Sequence, residues 1–182
     1  MQSRLKILIV RFSSIGDIVL TSPVVRILKK QLNAEVHYLT KSSFISLLKN
    51  NRYIDSVYQI ESSINEIISD LRKEKYDYII DLHNNFRTTI LKFKLRVPSK
   101  SLSKLNVKKF LLTKFKINTL PESHIVDRYL DTIRGFNIEN DNEGLDFFLS
   151  DQDIVSVKEY DDIIKSEYVA FVIGGQHTTK ML

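Results

Sequence analysis

The stretch Leu5-Lys-Ile-Leu-Ile-Val-Arg-Phe-Ser-Ser-Ile-Gly-Asp-Ile-Val-Leu-Thr-Ser-Pro23 decides the fold. From Leu5 to Arg11 it is nearly continuous in apolar residues, as a strand covered on both faces of a parallel sheet must be. A Ser/Gly-containing turn follows. A helix is then predicted from about Asp17 to Leu32, with Pro23 accommodated if the helix starts or restarts at Ser22. Strand, turn and helix in this order make the first step of a βα unit.

The pattern repeats along the chain. Further strands are expected at Glu35–Thr40, Ser56–Ile60, Tyr76–Leu82 and Val97–Leu102. Helices are expected at Ser43–Lys49, Asn65–Glu74, Asn85–Leu95 and His124–Gly135, with Gly135 suited to the last one's C-terminal cap. Between Lys104 and Lys116, Val107, Phe110, Leu111 and Phe115 share one helical side. Asp146–Leu149 reads as a short strand. Ser150–Lys165 reads as a helix opened by Ser150-Asp-Gln-Asp153 in a capping-box-like arrangement, so its D-x-D is capping and not a metal signature. The expected fold is therefore α/β over residues 1–149, a Rossmann-like parallel sheet with helices on both faces. Tyr168-Val-Ala-Phe-Val-Ile173 before Gly174-Gly175 is a strand feeding a Gly-rich turn. It makes residues 168–182 the start of a second, truncated domain, with 150–167 as a linker helix.

Composition narrows the classes. The chain has 182 residues, enough for one hydrophobic core and short for two. Without cysteine it has neither disulfides nor thiolate metal sites, which fits a reducing cytoplasm. His37, His83, His124 and His177 show no paired metal-ligand spacing, and no metal or cofactor is expected. Ile7–Val10 is too short for a signal-peptide core, and no apolar run is long enough to span a bilayer. The net charge of +5 is uneven: Lys92 to Lys116 holds nine basic residues and no acidic one, which leaves −4 for the remainder. Three readings are open for that segment: a surface for anionic lipid or glycan, a nucleic-acid surface, or a solvated helix face.

Asp17 admits two readings. Ligands of doubly wound folds bind at the C-terminal ends of the strands, where Asp17 would be aimed at the cleft and held ionised by the helix start. Ser13, Ser14 and Gly16 would supply hydroxyls, amides and close approach beside it. Otherwise Asp17 is an ordinary N-cap. G-x-G-x-x-G is absent, so no dinucleotide fingerprint is present.

The segment Ser-Ser-Ile-Gly-Asp-Ile-Val-Leu with Thr-Ser-Pro23 resembles the opening of the ADP-heptose:lipopolysaccharide heptosyltransferase family, glycosyltransferases of two Rossmann-like domains (the GT-B architecture). Three more stretches agree in order: Tyr76-Asp-Tyr-Ile-Ile-Asp-Leu-His-Asn-Asn-Phe-Arg87, His124-Ile-Val-Asp-Arg-Tyr-Leu130, and Phe171-Val-Ile-Gly-Gly with Lys180. One departure is His83-Asn84-Asn85, where a Gln- and Gly-containing turn is more usual.

The resemblance implies an inverting transfer of heptose, or a related sugar, from ADP-heptose to the lipopolysaccharide core. It makes Asp17 the general base. It implies acceptor contacts from Ser13, Ser14, Gly16, Lys41, Arg87 and Arg128, with Asp81 as the other partner open to Arg87. Gly175, Gln176 and Lys180 fall on the donor side. Partners are then the nucleotide sugar and a lipid A–Kdo acceptor, not nucleic acid. The location is cytoplasmic, peripheral at the inner face of the membrane. Residues 1–182 alone, lacking most of a donor site, are expected to be inactive. The rival reading is a non-catalytic module that holds acidic glycan or lipid through its basic face.

Overall fold

The computed structural model describes residues 4–103, 113–116 and 123–154. The chain divides into two compact units, Met1–Phe148 and Leu149–Leu182. Within the first, strands β1 (Lys6–Val10), β2 (Glu35–Lys41), β3 (Ser56–Ile60), β4 (Tyr78–Asp81) and β5 (Ser99–Ser101) form one sheet in the order β3-β2-β1-β4-β5. All neighbours are parallel. The helices are α1 (Ile15–Val19), α2 (Ser22–Leu32), α3 (Ile68–Lys73), α4 (Phe86–Leu95) and α5 (Ile125–Leu130).

The alternation of β1 builds both layers at once. Ile7 and Ile9 face one core with Val24, Ile27 and Leu28 of α2 and with Tyr129 of α5. Leu8 and Val10 face the other with Leu71 of α3 and Leu91 of α4. Successive side chains of a strand point to opposite faces, so a continuous apolar run requires helices on both. The Rossmann-like fold read from the sequence is the fold observed.

Several boundaries differ for local reasons. The helix expected over Asp17–Leu32 begins at Ile15 and is broken at Leu20–Thr21 before α2 restarts at Ser22. Thr21 Oγ1 donates to the Ile18 carbonyl at 2.6 Å and meets the Tyr38 hydroxyl at 2.9 Å, and Pro23 in the first turn of α2 cannot continue the preceding ladder. Ser43–Lys49 is instead a 3₁₀ turn, Ser42–Leu47. Asn65–Glu74 splits into a 3₁₀ turn, Ile64–Glu66, and α3. Strands β4 and β5 are shorter than Tyr76–Leu82 and Val97–Leu102. The helix expected to Gly135 ends at Leu130. Gly135 lies in a 3₁₀ turn, and the left-handed cap belongs to Asn137, at φ 54°. The D-x-D opens a 3₁₀ turn, Asp151–Asp153, with the Ser150 hydroxyl bonded to Asp153 at 2.6 Å. Most of Lys104–Lys116, the rest of Ser150–Lys165 and Tyr168–Ile173 lie outside the described residues.

Asp146–Leu149 is not a strand, because Arg26 claims it. The Arg26 side chain is wholly buried on α2. Its Nε and Nη2 donate to the two Asp141 oxygens at 2.7 Å, Nη1 pairs with Asp146, and Nη2 also reaches the Gly144 carbonyl. The Asp146 amide donates to Ser22 Oγ at 2.9 Å, so it is not left for a sheet neighbour. Residues 141–146 are thereby strapped along α2.

A second polar cluster lies at the N-terminal edge of the sheet. Lys6 Nζ bridges Glu35 at 2.9 Å and Glu74 at 2.8 Å, and buried His37 is shared between Glu35 and the Tyr76 hydroxyl. Glu35, His37 and Glu74 stand close enough to hold a metal ion. The Lys6 ammonium already bridges both carboxylates.

Arg26→Met keeps the volume of the side chain while stranding two carboxylates. It should lower unfolding stability by about 3 kcal/mol in urea denaturation, as removal of one partner of a buried pair does. A loss below ~1 kcal/mol would mean that the strap is held by something else.

Candidate functional site

In the order β3-β2-β1-β4-β5 the chain reverses direction across the sheet between β1 and β4, and ligands of open α/β sheets bind outside the strand ends at such a point. Val10 lies opposite Asp81 in the register. The ladder runs one residue beyond the strands, with Arg11 N–H donating to the Leu39 carbonyl and Leu82 N–H to the Val10 carbonyl, both at 3.1 Å. Three strand ends therefore form one rim. The loop of residues 11–14 and the turn of residues 82–85 stand on it side by side.

Arg11 ties them together. Its Nε donates to the Ser13 carbonyl at 2.6 Å, its Nη1 to the Leu82 carbonyl at 2.7 Å, and its Nη2 pairs with Asp17 Oδ2 at 2.6 Å. The guanidinium lies 5.9 Å from the ring centroid of buried Tyr129. Phe12 meets His83 edge-on at 5.3 Å between centroids.

Asp17 is not the N-cap of its helix. Ser14 holds that position in extended backbone, and Asp17 is the third residue of α1. Its Oδ2 accepts from Ser14 N–H at 3.2 Å and from Ser14 Oγ at 3.0 Å, besides the pair with Arg11. All three contacts converge on Oδ2, and among the described residues no hydrogen bond reaches Oδ1. Partial burial works to raise the pKa, but the Ser14 amide, the Arg11 charge and the Ser14 hydroxyl outweigh it and hold it below the ordinary carboxylate value. With only five residues in α1, the helix start contributes less to this charge than the sequence suggested.

Asp81, at the end of β4, is fully buried. Its Oδ1 accepts from the amides of His83 and Asn84 at 3.2 and 2.7 Å, and its Oδ2 pairs with Lys92 of α4 at 2.8 Å. Asn84 sits at φ 48°, a left-handed position that asparagine tolerates, so no glycine is required in this turn. Asn85 caps α4, its side-chain oxygen accepting from Thr88 N–H at 3.0 Å.

Of the residues singled out in the sequence, Ser13, Ser14, Gly16 and Asp17 are brought together on the rim. Lys41 ends β2, the strand on the other side of β1 from β4. Arg87 is exposed in the first turn of α4, and the partner open to it, Asp81, is taken by Lys92. Arg128 donates to the Ser103 carbonyl at 2.6 Å and so anchors the segment after β5. Gly175, Gln176 and Lys180 lie outside the described residues. Sequence reasoning missed Arg11 and Lys92. The signal for Arg11 was a guanidinium placed directly after a fully apolar strand, where only the adjacent loops can neutralise it.

A parallel sheet with a fixed carboxylate at its switch point defines a Rossmann-like domain with a candidate ligand site at its strand ends. No family model matches the chain. It is 28% identical over 136 residues to lipopolysaccharide heptosyltransferase 1 of Campylobacter coli, a match covering 69% of the chain and 40% of that relative. A glycosyl transferase family 9 structure from Veillonella parvula superposes with a TM-score of 0.67 at 22% identity, over 84% of this chain and 48% of that one. E. coli heptosyltransferase WaaC with ADP gives 0.60 at 16%, over 78% and 50%. The resemblance to the heptosyltransferases of glycosyltransferase family 9 thus holds over most of the chain, which spans 40 to 50% of the length of these three proteins.

The depressed Asp17 pKa has a checkable cause and sign. Because the folded value lies below the unfolded one of about 3.9, Asp17 contributes stability above that pH and loses it as pH falls through the folded value. In a carboxyl-carbon NMR titration Arg11→Gln should move the Asp17 midpoint upward, and Ser14→Ala should do so as well. Unchanged midpoints in both variants would remove these contacts as the cause.

Proposed function

We propose that the intact protein is an inverting glycosyltransferase that moves heptose from ADP-heptose to the lipopolysaccharide core, with Asp17 as general base. The observation that carries this reading is the asymmetric Asp17 carboxylate: Oδ2 is locked by Arg11 and Ser14, while among the described residues no hydrogen bond holds Oδ1 at the switch point. The relationship to lipopolysaccharide heptosyltransferase 1 supplies the substrate class.

In the proposed step an acceptor hydroxyl oxygen attacks the anomeric carbon of the donor as its bond to the diphosphate oxygen breaks. The electron pair leaves with ADP, the hydroxyl proton passes to Asp17 Oδ1, and a single displacement inverts the configuration. A carboxylate of low pKa is a weak base for an alcohol. It suffices where the transition state is oxocarbenium-like and the proton moves late, once the attacking oxygen has become acidic. Arg11 keeps Asp17 ionised beforehand and fixes which oxygen is offered.

Gly16 supports the same reading. A methyl group added there would meet nothing within 4 Å, so packing inside this chain does not require glycine beside Asp17. The open space is suited to close approach of a sugar. Ser13, Ser14, Lys41, Arg87 and Arg128 are proposed on the acceptor side, and Gly175, Gln176 and Lys180 at the donor diphosphate. The acceptor is a lipid A–Kdo glycolipid, which puts the protein in the cytoplasm at the inner face of the membrane.

ADP release by the full-length protein, offered a panel of nucleotide sugars and a deacylated lipid A–Kdo acceptor, tests the proposal. Release with ADP-heptose alone among the donors, reduced roughly 10²–10⁴-fold by Asp17→Asn, is expected. No turnover with any donor, or an equally active Asn variant, would overturn it and bring the non-catalytic glycan-binding reading forward. A second prediction separates fold from function at the neighbouring position. Gly16→Ala should leave the protein as stable or up to about 1 kcal/mol more stable in urea, because alanine favours helix. Its turnover should nevertheless fall.

A further inference from the structure

Helix α4 carries two apolar faces, and the core uses one. Thr88 and Leu91 are fully buried, Leu95 packs against the same core cluster, and Lys92 turns inward to Asp81. At about 100° per residue, Phe86, Ile90 and Phe93 fall within a narrow stripe on the opposite side. Phe86 is 79% exposed and Phe93 76%, the two most exposed large apolar side chains among the described residues. Phe86 and Phe93, two aromatic residues seven positions apart on a solvent face with half-buried Ile90 between them, are not needed for folding.

The charge around the stripe is of one sign. From Phe86 to Ser103 there are five basic residues and no acidic one. Lys92 is neutralised by Asp81. Among the described residues Arg87, Lys94, Arg96 and Lys100 have no acidic partner. Arg87 and Lys94 lie along one flank of the stripe, and Arg96 follows at the helix end. An aromatic stripe bordered by unneutralised cations matches the interface of an anionic bilayer, where rings enter the headgroup–acyl boundary and cations meet lipid phosphates.

We infer that the outward face of α4, centred on Phe86, Ile90 and Phe93, docks on an anionic phospholipid surface. Duplex nucleic acid or a protein groove would use only one half of this pairing, and a single strand, which could stack bases on the rings, is distinguished by the vesicle test. Phosphates alone leave the phenyl rings unused, and an apolar groove leaves the cations unmatched. Asn85 caps α4 directly after the turn that stands on the rim of the candidate site. A bilayer held against α4 therefore brings lipid-linked glycan to that rim. This last step rests on the proposed acceptor, whereas the docking itself does not.

The test is flotation of the full-length protein with phosphatidylcholine vesicles, with and without phosphatidylglycerol, alongside light scattering and thermal melts. Wild type should float only with the anionic vesicles. Phe86→Ser/Phe93→Ser and Arg96→Gln/Lys100→Gln should each lower the bound fraction at least tenfold with unchanged melting. Phe93→Ser should turn over the soluble deacylated acceptor like wild type but lose most turnover of the same glycolipid embedded in vesicles. Vesicle binding that survives in both double variants overturns the inference, as does absence of binding by wild type. So does a wild-type dimer that the phenylalanine variants dissociate, which would make the face a subunit contact. If wild type floats as expected yet turns over no soluble acceptor, the glycosyl-transfer reading fails and the docking surface stands.

Discussion

The site depends on one guanidinium. Arg11 stands where β1 leaves the sheet, and its three nitrogens join the Ser13 carbonyl, the Leu82 carbonyl and Asp17. The backbone carbonyls where a parallel sheet gives way to loops need donors, and here one side chain meets one in the loop after β1 and one just past β4. The third nitrogen then has a fixed direction, and Asp17 is oriented by it. Sheet topology, loop conformation and carboxylate orientation are in this way a single arrangement. The buried Asp81–Lys92 pair does for the turn after β4 what Arg11 does for the loop after β1.

How far the sequence spoke for itself can be judged element by element. Strand β3 lies at Ser56–Ile60 as read, and β1 and β2 differ from their reading by a residue or so, because apolar runs bounded by polar turns are unambiguous. The Asp17–Leu32 helix restarts at Ser22, one of the options Pro23 left open, but the Thr21–Tyr38 contact that accompanies the break involves a residue seventeen positions away. Asp146–Leu149 looked like a strand by its apolar content, but a buried arginine 120 residues earlier holds the chain in irregular backbone instead. Such pairings leave no periodic trace. Gly135 attracted the cap assignment by residue type, while the chain turns left-handed two residues later at Asn137.

The candidate site was legible as a place and only partly as a mechanism. Doubly wound topology put the loop after β1 at the ligand-binding edge, and Ser13, Ser14, Gly16 and Asp17 lie there. What could not be read was the division of labour between the two Asp17 oxygens, because it depends on Arg11 and on Ser14 occupying the cap. The Lys92–Lys116 charge run had a bland reading as a solvated face. In α4 that face proves to be aromatic at its centre and basic at its border, a distinction that needs the helix's inward side to be known first.

The cluster around Lys6 has a consequence of a different kind. Two carboxylates and an imidazole lie within 4.8 Å of one another, a ligand set that suits a divalent ion, and a covalently tethered ammonium fills the role of that ion. The counter-charge is encoded in the chain and does not depend on what the surroundings supply. Loss of the ammonium at Lys6 would leave two carboxylates facing each other without their shared counter-charge. The charge balance at the end of the sheet remote from Asp17 is thus carried by side chains alone.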